Sequence, residues 1–265
     1  MNLENVKLKI FFQDVTFNNI DDFIDICIPN HIKDDKYMID GRKEKLKWMN
    51  DILKHSGKVG KVAYVNSEPI GMLQYLENPD DNIININCIF IPNKKFHKKG
   101  IAKQLVEGLI SEIKDKSIFN AITIHAFEIP SFYSQKDFFN RLGFTQVPNG
   151  DEFFLYYPLR PDFVMNQINV YIPQEEDKNK ILVFFDPSCP FCVSFLENYK
   201  RILEEILPDY PIRVINKFTE PDEIKKRGKI PYCVVNNVAI KSFYTERDKF
   251  KEEVLKAAKV SDLKD

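Results

Sequence analysis

The chain has 265 residues, 44% of them hydrophobic and 29% charged, a composition that suits a globular protein with one or two cores. Lys and Arg number 38 against 39 acids, so a net charge of -1 excludes any whole-molecule attraction to nucleic acid or an anionic membrane; an anion site must be local. No apolar run is long enough to span a bilayer and residues 1–15 carry no signal-peptide pattern, so a cytoplasmic location is expected.

Taken in order, residues 8–15 read as a strand, and Asn18 or Asn19 is placed to cap a short helix reaching 28. A helix is expected over 42–55, with Leu46, Trp48, Ile52 and Leu53 on its apolar face and Gly57 and Gly60 stopping it. Strands are expected over 61–65 and 70–76, joined by the turn Asn66-Ser67-Glu68-Pro69. The strongest strand signal of the first half covers 83–91. Gly100 opens a helix to 114, in which Ile101, Leu105, Leu109, Ile110 and Ile113 recur at helical spacing. A strand over 121–127, a helix over 131–141 ended by Gly143, and a hairpin over 145–158 around Pro148-Asn149-Gly150 complete this half.

Leu159-Arg160-Pro161-Asp162 reads as a boundary, because proline restricts itself and its predecessor and the pattern then restarts. Domains are therefore expected over 1–160 and 161–265. The second holds strands over 168–172, 181–186 and 212–218, helices over 192–206, 221–227 and 246–259, and a hairpin made of 233–236 and 238–243. Strands alternating with helices give an α/β (α+β) fold class in both halves.

The first chemical constellation is the strand ending Ile89-Phe90-Ile91-Pro92, the basic loop from Asn93 to Lys99, and the helix opened by Gly100, Ile101 and Ala102. Small residues let the backbone approach a ligand, and the N–H groups and dipole of a helix start favour a phosphate. Lys94, Lys95, Lys98 and Lys99 add positive charge here in an otherwise neutral chain, although lysine-rich loops are also commonly just solvated.

This strand-loop-helix resembles the acetyl-CoA signature of the GNAT acetyltransferase superfamily: Gln or Arg, two variable residues, Gly, one variable residue, then Gly or Ala. His97 stands at the first position, and Gly100 and Ala102 match. Phe138-Phe139-Asn140-Arg141-Leu142-Gly143-Phe144 resembles the second family motif, Phe or Leu followed by Tyr, three residues, then Gly-Phe. With the order of elements, the resemblance spans 5–158. It implies a splayed strand whose backbone at Phe90 and Ile91 pairs with pantetheine. It also implies a pyrophosphate held by the backbone of His97, Lys98, Lys99, Gly100, Ile101 and Ala102.

The chemistry implied is attack of a neutral amine on the acetyl thioester, with a base to take its proton and an acid for the departing thiolate. His125 and Glu128, at the end of the strand before the second motif, are the candidate bases, with a packed or solvent-facing histidine as the plain alternative. The family's acid is often the second-motif Tyr; here that position is Phe139, so Tyr133 substitutes, the thiolate leaves unaided, as its pKa of about 8.5 permits, or activity is lost.

The second constellation is the apolar strand 181–186 followed by Cys189-Pro190-Phe191-Cys192 at the start of a helix. Of the five cysteines (Cys27, Cys88, Cys189, Cys192, Cys233) this is the close pair, too few for a disulfide scaffold but suited to redox or metal chemistry. A metal site needs about four ligands and no second close pair exists, so no metal is expected. A helix N-terminus activates a thiol, making Cys189 the attacking and Cys192 the resolving group. The stretch from Glu223 to Asn237 resembles the short helix, Gly and cis-proline strand of the thioredoxin fold, which implies a cis Pro231 facing the pair. Cys233 is then either a small core residue or a third thiol.

The two halves in this order resemble the YoaP-like family, a GNAT domain followed by a thioredoxin-like domain. The resemblance implies an acetyl-CoA-dependent N-acetyltransferase for a small amine, with a thioredoxin-like domain for redox control or for holding a thiol-bearing substrate. Neither a nucleic-acid nor a membrane partner is expected. The alternative is a thiol-disulfide oxidoreductase with a GNAT-derived sensing module, which Phe139 favours.

Overall fold

Strand β1 (Ile10–Asp14) pairs antiparallel with β2 (Gly60–Val65), and β2 with β3 (Glu68–Asn78). These belong to a computed structural model that describes residues 9–116, 118–129, 133–148, 150–166, 171–228 and 232–259. The β2–β3 connection is a two-residue turn, tighter than the four-residue turn expected. Val65 faces Glu68 across it, and Asn66 and Ser67 take φ of 49° and 64°, the left-handed pair that matches the twist of a hairpin.

Helices α1 (Ile20–Ile26) and α2 (Lys36–His55) lie between β1 and β2 in the chain. α2 begins well before residue 42, because Asp35 Oδ1 accepts from the N–H groups of Tyr37 (2.8 Å) and Met38 (3.3 Å) and so caps it. β4 (Ile83–Phe90), α3 (Ile101–Lys114), β5 (Ala121–His125), the two-residue pair β6 (Glu128–Ile129) and β7 (Tyr133–Ser134), α4 (Gln135–Arg141), β8 (Thr145–Gln146) and β9 (Phe154–Pro158) follow.

The seven-stranded sheet runs β1-β2-β3-β4-β5-β9-β8, and β4–β5 is its parallel pair. One face is covered by the apolar stripe of α3, where Ile101, Leu105, Val106, Leu109, Ile110 and Ile113 are buried against Leu73, Tyr75, Ile84, Ile86, Ile122 and Ile124. Burial of each such side chain contributes about 1.5–3 kcal/mol. On β2, Gly60 allows the Phe23 ring of α1 to approach: a Cβ there would stand 2.8 Å from a ring carbon and 2.4 Å from the Leu73 oxygen.

A second sheet runs β11 (Ile212–Asn216), β10 (Ile181–Phe185), β12 (Cys233–Val235), β13 (Val238–Ile240), with β10–β11 parallel and the rest antiparallel. Strict alternation in β10 sends Ile181 and Val183 to the core of α5 (Cys192–Ile206) and α7 (Arg247–Ala258), and Leu182 and Phe184 to the other face. The latter face carries Ile224 of α6 (Pro221–Lys225). Asn236 and Asn237 repeat the two-residue turn, with φ of 46° and 65°. The strand expected over 168–172 falls largely outside the described residues; at its end Tyr171 forms a bridge with Gly228. Pro231, the expected cis proline, also lies outside them.

The chain divides into two compact units, one of residues 1–30 and 49–168, the other of 31–48 and 169–265. The division is discontinuous, unlike the single cut at 160: the first part of α2 groups with the second sheet. Among the described residues no helix is long and apolar enough to cross a membrane.

Candidate active site

In the first unit the ladder between β4 and β5 holds from Ile83 opposite Ala121 to Ile86 opposite Ile124, and ends there. β4 continues to Phe90, paired with β3 as far as Met72. The β3–β4 register shifts at Asn87, where Gln74 faces Cys88 while Tyr75 faces Ile86, and such a bulge bends the strand. From Asn87 onward β4 therefore has no ladder to β5, and an extended amide-bearing ligand could pair with that edge. Phe90 is 39% exposed at the end of this opening. Ile91 packs over Gly71, where a Cβ would stand 2.2 Å from the Ile91 δ-methyl.

The loop after β4 is organised by its own side chains. Asn93 accepts from the Lys95 N–H (3.0 Å) and caps a single 3-10 turn, Lys94–Phe96, whose Phe96 ring is buried as an anchor. The His97 N–H donates to the Lys94 oxygen (3.0 Å), and His97 Nε2 lies 2.8 Å from the Ile91 oxygen. A carbonyl only accepts, so Nε2 carries the proton. His97 thus shapes the turn with both its N–H and its ring, whereas the resemblance implied a backbone contact to pyrophosphate from this residue.

Lys98 and Gly100 take left-handed φ of 57° and 78° and turn the chain into α3. The first bond of that helix joins the Gln104 N–H to the Gly100 oxygen (2.9 Å). The N–H groups of Ile101, Ala102 and Lys103 therefore have no intrahelical acceptor, which is the arrangement an anion uses. Lys98 and Lys99 are exposed beside them; Lys95 lies 3.5 Å from Glu68 and over the Phe96 ring. Farther along α3, Glu112 is held by Lys58, Lys61 (2.7 Å) and Lys116 (3.2 Å), which fixes the helix to the β2 segment. Burial would raise its carboxyl, but these ammonium groups outweigh burial and keep it at about 2.

A groove of about 820 Å³ opens beside Phe90, lined among others by Asp22, Asp25, Glu68, Pro92 and Lys94. Of the candidate catalytic groups, His125 ends β5, is exposed, and pairs through Nε2 with Asp151 Oδ2 at 3.0 Å. No spacing rule points to Asp151, which lies on a loop far along the chain. Glu128 and Tyr133 belong to the small β6–β7 pair; their side chains lie outside the described part. Phe139 is fully buried, its ring edge-on to Phe138 (5.0 Å) and Phe144 (4.9 Å), so this position serves the core.

In the second unit β10 ends at Phe185, and Asp186 begins the loop that carries the thiols. Asp186 accepts from the Ser188 N–H (3.0 Å) and from Lys217 (3.2 Å). Burial would raise its carboxyl, but these groups hold it below the usual range. Cys189 is half-buried, and its carbonyl accepts from the Cys192 N–H (3.1 Å) as α5 begins. Cys192 is buried, and burial first, then the charges of Cys189, Asp186 and Glu44, push its thiol up to about 12. Desolvation therefore outweighs the helix-start effect at Cys192. Cys233 is settled as a core residue, 1% exposed beneath α5 and α7, its thiol raised by burial.

Among curated proteins no relative matches the chain. Similar solved structures include an acetyltransferase of the GNAT family from Staphylococcus aureus Mu50, with 19% identity and a TM-score of 0.45, covering 57% of this chain and 100% of that one. A GNAT family N-acetyltransferase (YhbS) from Escherichia coli in complex with CoA has 14% identity and a TM-score of 0.42, over 61% and 87% of the two chains. The PaiA N-acetyltransferase from Thermoplasma acidophilum in complex with coenzyme A has 16% identity and a TM-score of 0.43, over 56% and 97%. The family model of the acetyltransferase (GNAT) domain matches residues 42–154, from within α2 to the start of β9 and so across the opened strand, the basic turn and α3. These residues are an acetyltransferase domain of the GNAT family, set within a longer chain.

Proposed function

We propose that the chain transfers an acetyl group from acetyl-CoA to the nitrogen of a small amine, and that its second unit is a thioredoxin-like domain with Cys189 and Cys192 as a redox pair. Acetyl-CoA supplies an activated acyl carbon and a thiolate leaving group. The observation that supports this reading most is the join of an opened β4 edge to a turn that presents the N–H groups of Ile101, Ala102 and Lys103 beside Lys98 and Lys99. In this reading the edge from Asn87 to Phe90 orients the pantetheine, and the turn holds the pyrophosphate.

The amine nitrogen must lose a proton as it bonds to the acyl carbon. His125 is the first candidate base: it stands at the end of β5, and Asp151 steadies its ring. Glu128 is the second. Phe139 gives no proton, so Tyr133 protonates the thiolate or it leaves unaided. Asp22, Asp25 and Glu68 along the groove favour an amine that arrives carrying positive charge.

The strand order β11-β10-β12-β13, with a parallel first pair, Cys189 between β10 and α5 and Cys192 opening α5, supports the thioredoxin-like reading of the second unit. Its thiols would either control the transferase or hold a thiol-bearing acceptor. The burial of Phe139 in the core favours one further reading, a thiol-disulfide oxidoreductase whose first unit senses a CoA compound.

The test is calorimetric titration of the full chain with acetyl-CoA, repeated with Gly100→Glu. A glutamate there meets a left-handed backbone and opposes the phosphates, so binding should vanish. Release of free thiol on adding amines then identifies the acceptor. Failure of the unaltered chain to bind acetyl-CoA would sink the transferase reading.

A further inference from the structure

Within the second unit, the turn that carries the cysteines packs at Pro190 against residues 36–48 of α2, the part of that helix grouped with this unit. Gly41 of α2 is buried, and its Cα faces the main chain of Pro190: a Cβ at Gly41 would stand 1.9 Å from the Pro190 oxygen and 2.9 Å from its carbonyl carbon. Both obstructing atoms are backbone, so no rotamer change could admit a side chain. A glycine inside a helix costs about 1 kcal/mol relative to alanine. Here a close backbone contact offsets that cost.

Two other observations agree. Met38, Gly41, Lys45 and Trp48 are all buried and recur at helical spacing, so one face of this half of α2 is fully covered. Glu44, one turn beyond Gly41, is near enough for its charge to raise the Cys192 thiol. Cys189 itself stays half-buried, and the exposed ring of Tyr232 lies close enough to feel its charge.

We propose that residues 36–48 of α2 form a built-in cap on the Cys-Pro-Phe-Cys turn, which leaves Cys189 open to small disulfides and closed to protein disulfides. A polypeptide carrying a disulfide brings its own backbone up to the turn, where α2 already abuts the Pro190 main chain. A small disulfide needs only to reach Cys189, a residue of intermediate burial. This rests on the redox-pair reading above.

The exchange balances without another reactant. The Cys189 thiolate attacks one sulfur of a small disulfide, forming a mixed disulfide and releasing one thiolate. Cys192, on losing its proton, attacks Cys189 Sγ and releases the second. The two protons from Cys189 and Cys192 end on the two released thiols; the protein pair is oxidised and the small disulfide reduced.

The test uses the full chain, 2-hydroxyethyl disulfide as the small oxidant, and insulin as the protein disulfide for the reduced chain. A peptide linking Cys189 and Cys192 should form with the small disulfide, while insulin reduction stays near background. Gly41→Val, which forces the helix off the turn, should speed insulin reduction by about tenfold or more, with Gly41→Ala between, as overpacking populates the open form. As a measurement independent of how these variants fold, the unaltered chain is also labelled at Cys189 with iodoacetamide and with a polymer-bearing maleimide, each rate set against an unstructured thiol peptide. Selective slowing of the bulky reagent supports the cap. Equal relative labelling, or insulin reduction by the unaltered chain as fast as its reaction with the small disulfide, overturns the cap alone. If no variant forms the Cys189–Cys192 link with the small disulfide, the redox reading itself fails.

Discussion

His97 donates from Nε2 to the main-chain oxygen of Ile91 across 2.8 Å, tying the basic loop back to the end of the opened strand. The partner is fixed by the 3-10 turn between them, in which Asn93 and Lys94 use their own acceptors to hold Lys95 and His97.

Removing that tie should loosen the turn before any ligand contact is lost. His97→Ala is expected to weaken acetyl-CoA binding about fivefold to tenfold, the worth of one hydrogen bond of about 1 kcal/mol. His97→Gln keeps an N–H donor and should recover most of the loss. Calorimetry decides, and equal affinity for His97→Ala and the unaltered chain would show that the tie does not shape the site.

Glu112 should make the first unit sensitive to acid. Its carboxyl is held at about 2, below its unfolded value near 4.5, so its contribution is present above the unfolded value and is lost as pH falls through about 2. Discounted for its partly exposed position, that contribution is about 1–2 kcal/mol. Glu112→Gln should lower urea stability at pH 7 by that amount and flatten its decline between pH 5 and 2 (about the span of the shift). A variant with an unchanged acid profile would remove Glu112 from the account.

The two thiols should differ in reactivity. With its thiol near 12, Cys192 has only about one part in ten thousand as thiolate at pH 8, and it should resist alkylation that modifies Cys189. Peptide mapping after a short iodoacetamide pulse at pH 8 checks this. Comparable labelling of both in the folded chain would contradict the burial assigned to Cys192.

Arg227 is fully buried and grips Asp177 with two bonds of 2.7 and 2.6 Å, while Glu223 (2.8 Å) and Glu176 (3.1 Å) complete the cage. Hydrogen bonding to Asp177 leads in raising its already high pKa, so it stays charged. Arg227→Met would strand a buried carboxylate and should cost about 3–5 kcal/mol in denaturant unfolding. Pairing it with Asp177→Leu should restore much of this. Additive losses in the double variant would mean that the two side chains are not coupled.

Much of both units is local and was legible along the chain. Ile101, Leu105, Leu109 and Ile113 announce α3 because helical spacing places them on one face, and the expected helix over 192–206 coincides with α5 for the same reason. The basic turn and the cysteine pair are contiguous, so their chemistry could be read as strings of residues. The turn Asn66-Ser67 was expected to be longer, since the sequence does not show that both residues take left-handed φ.

What depends on distant neighbours was not legible. Asp151 meets His125, Glu112 meets Lys58 and Lys61, and Asp177 meets Arg227 only after sheets and helices have brought remote segments together. Gly41 shows the difference most directly. Along the sequence it is a poor helix former, and the helix was expected to begin after it; in the folded chain it lies inside α2, and the Pro190 main chain passes where a side chain would be. Local propensity and periodicity belong to neighbouring residues, and the sequence by itself determined the elements and their motifs. Steric contact belongs to space, so only the tertiary structure decided which helix meets which turn.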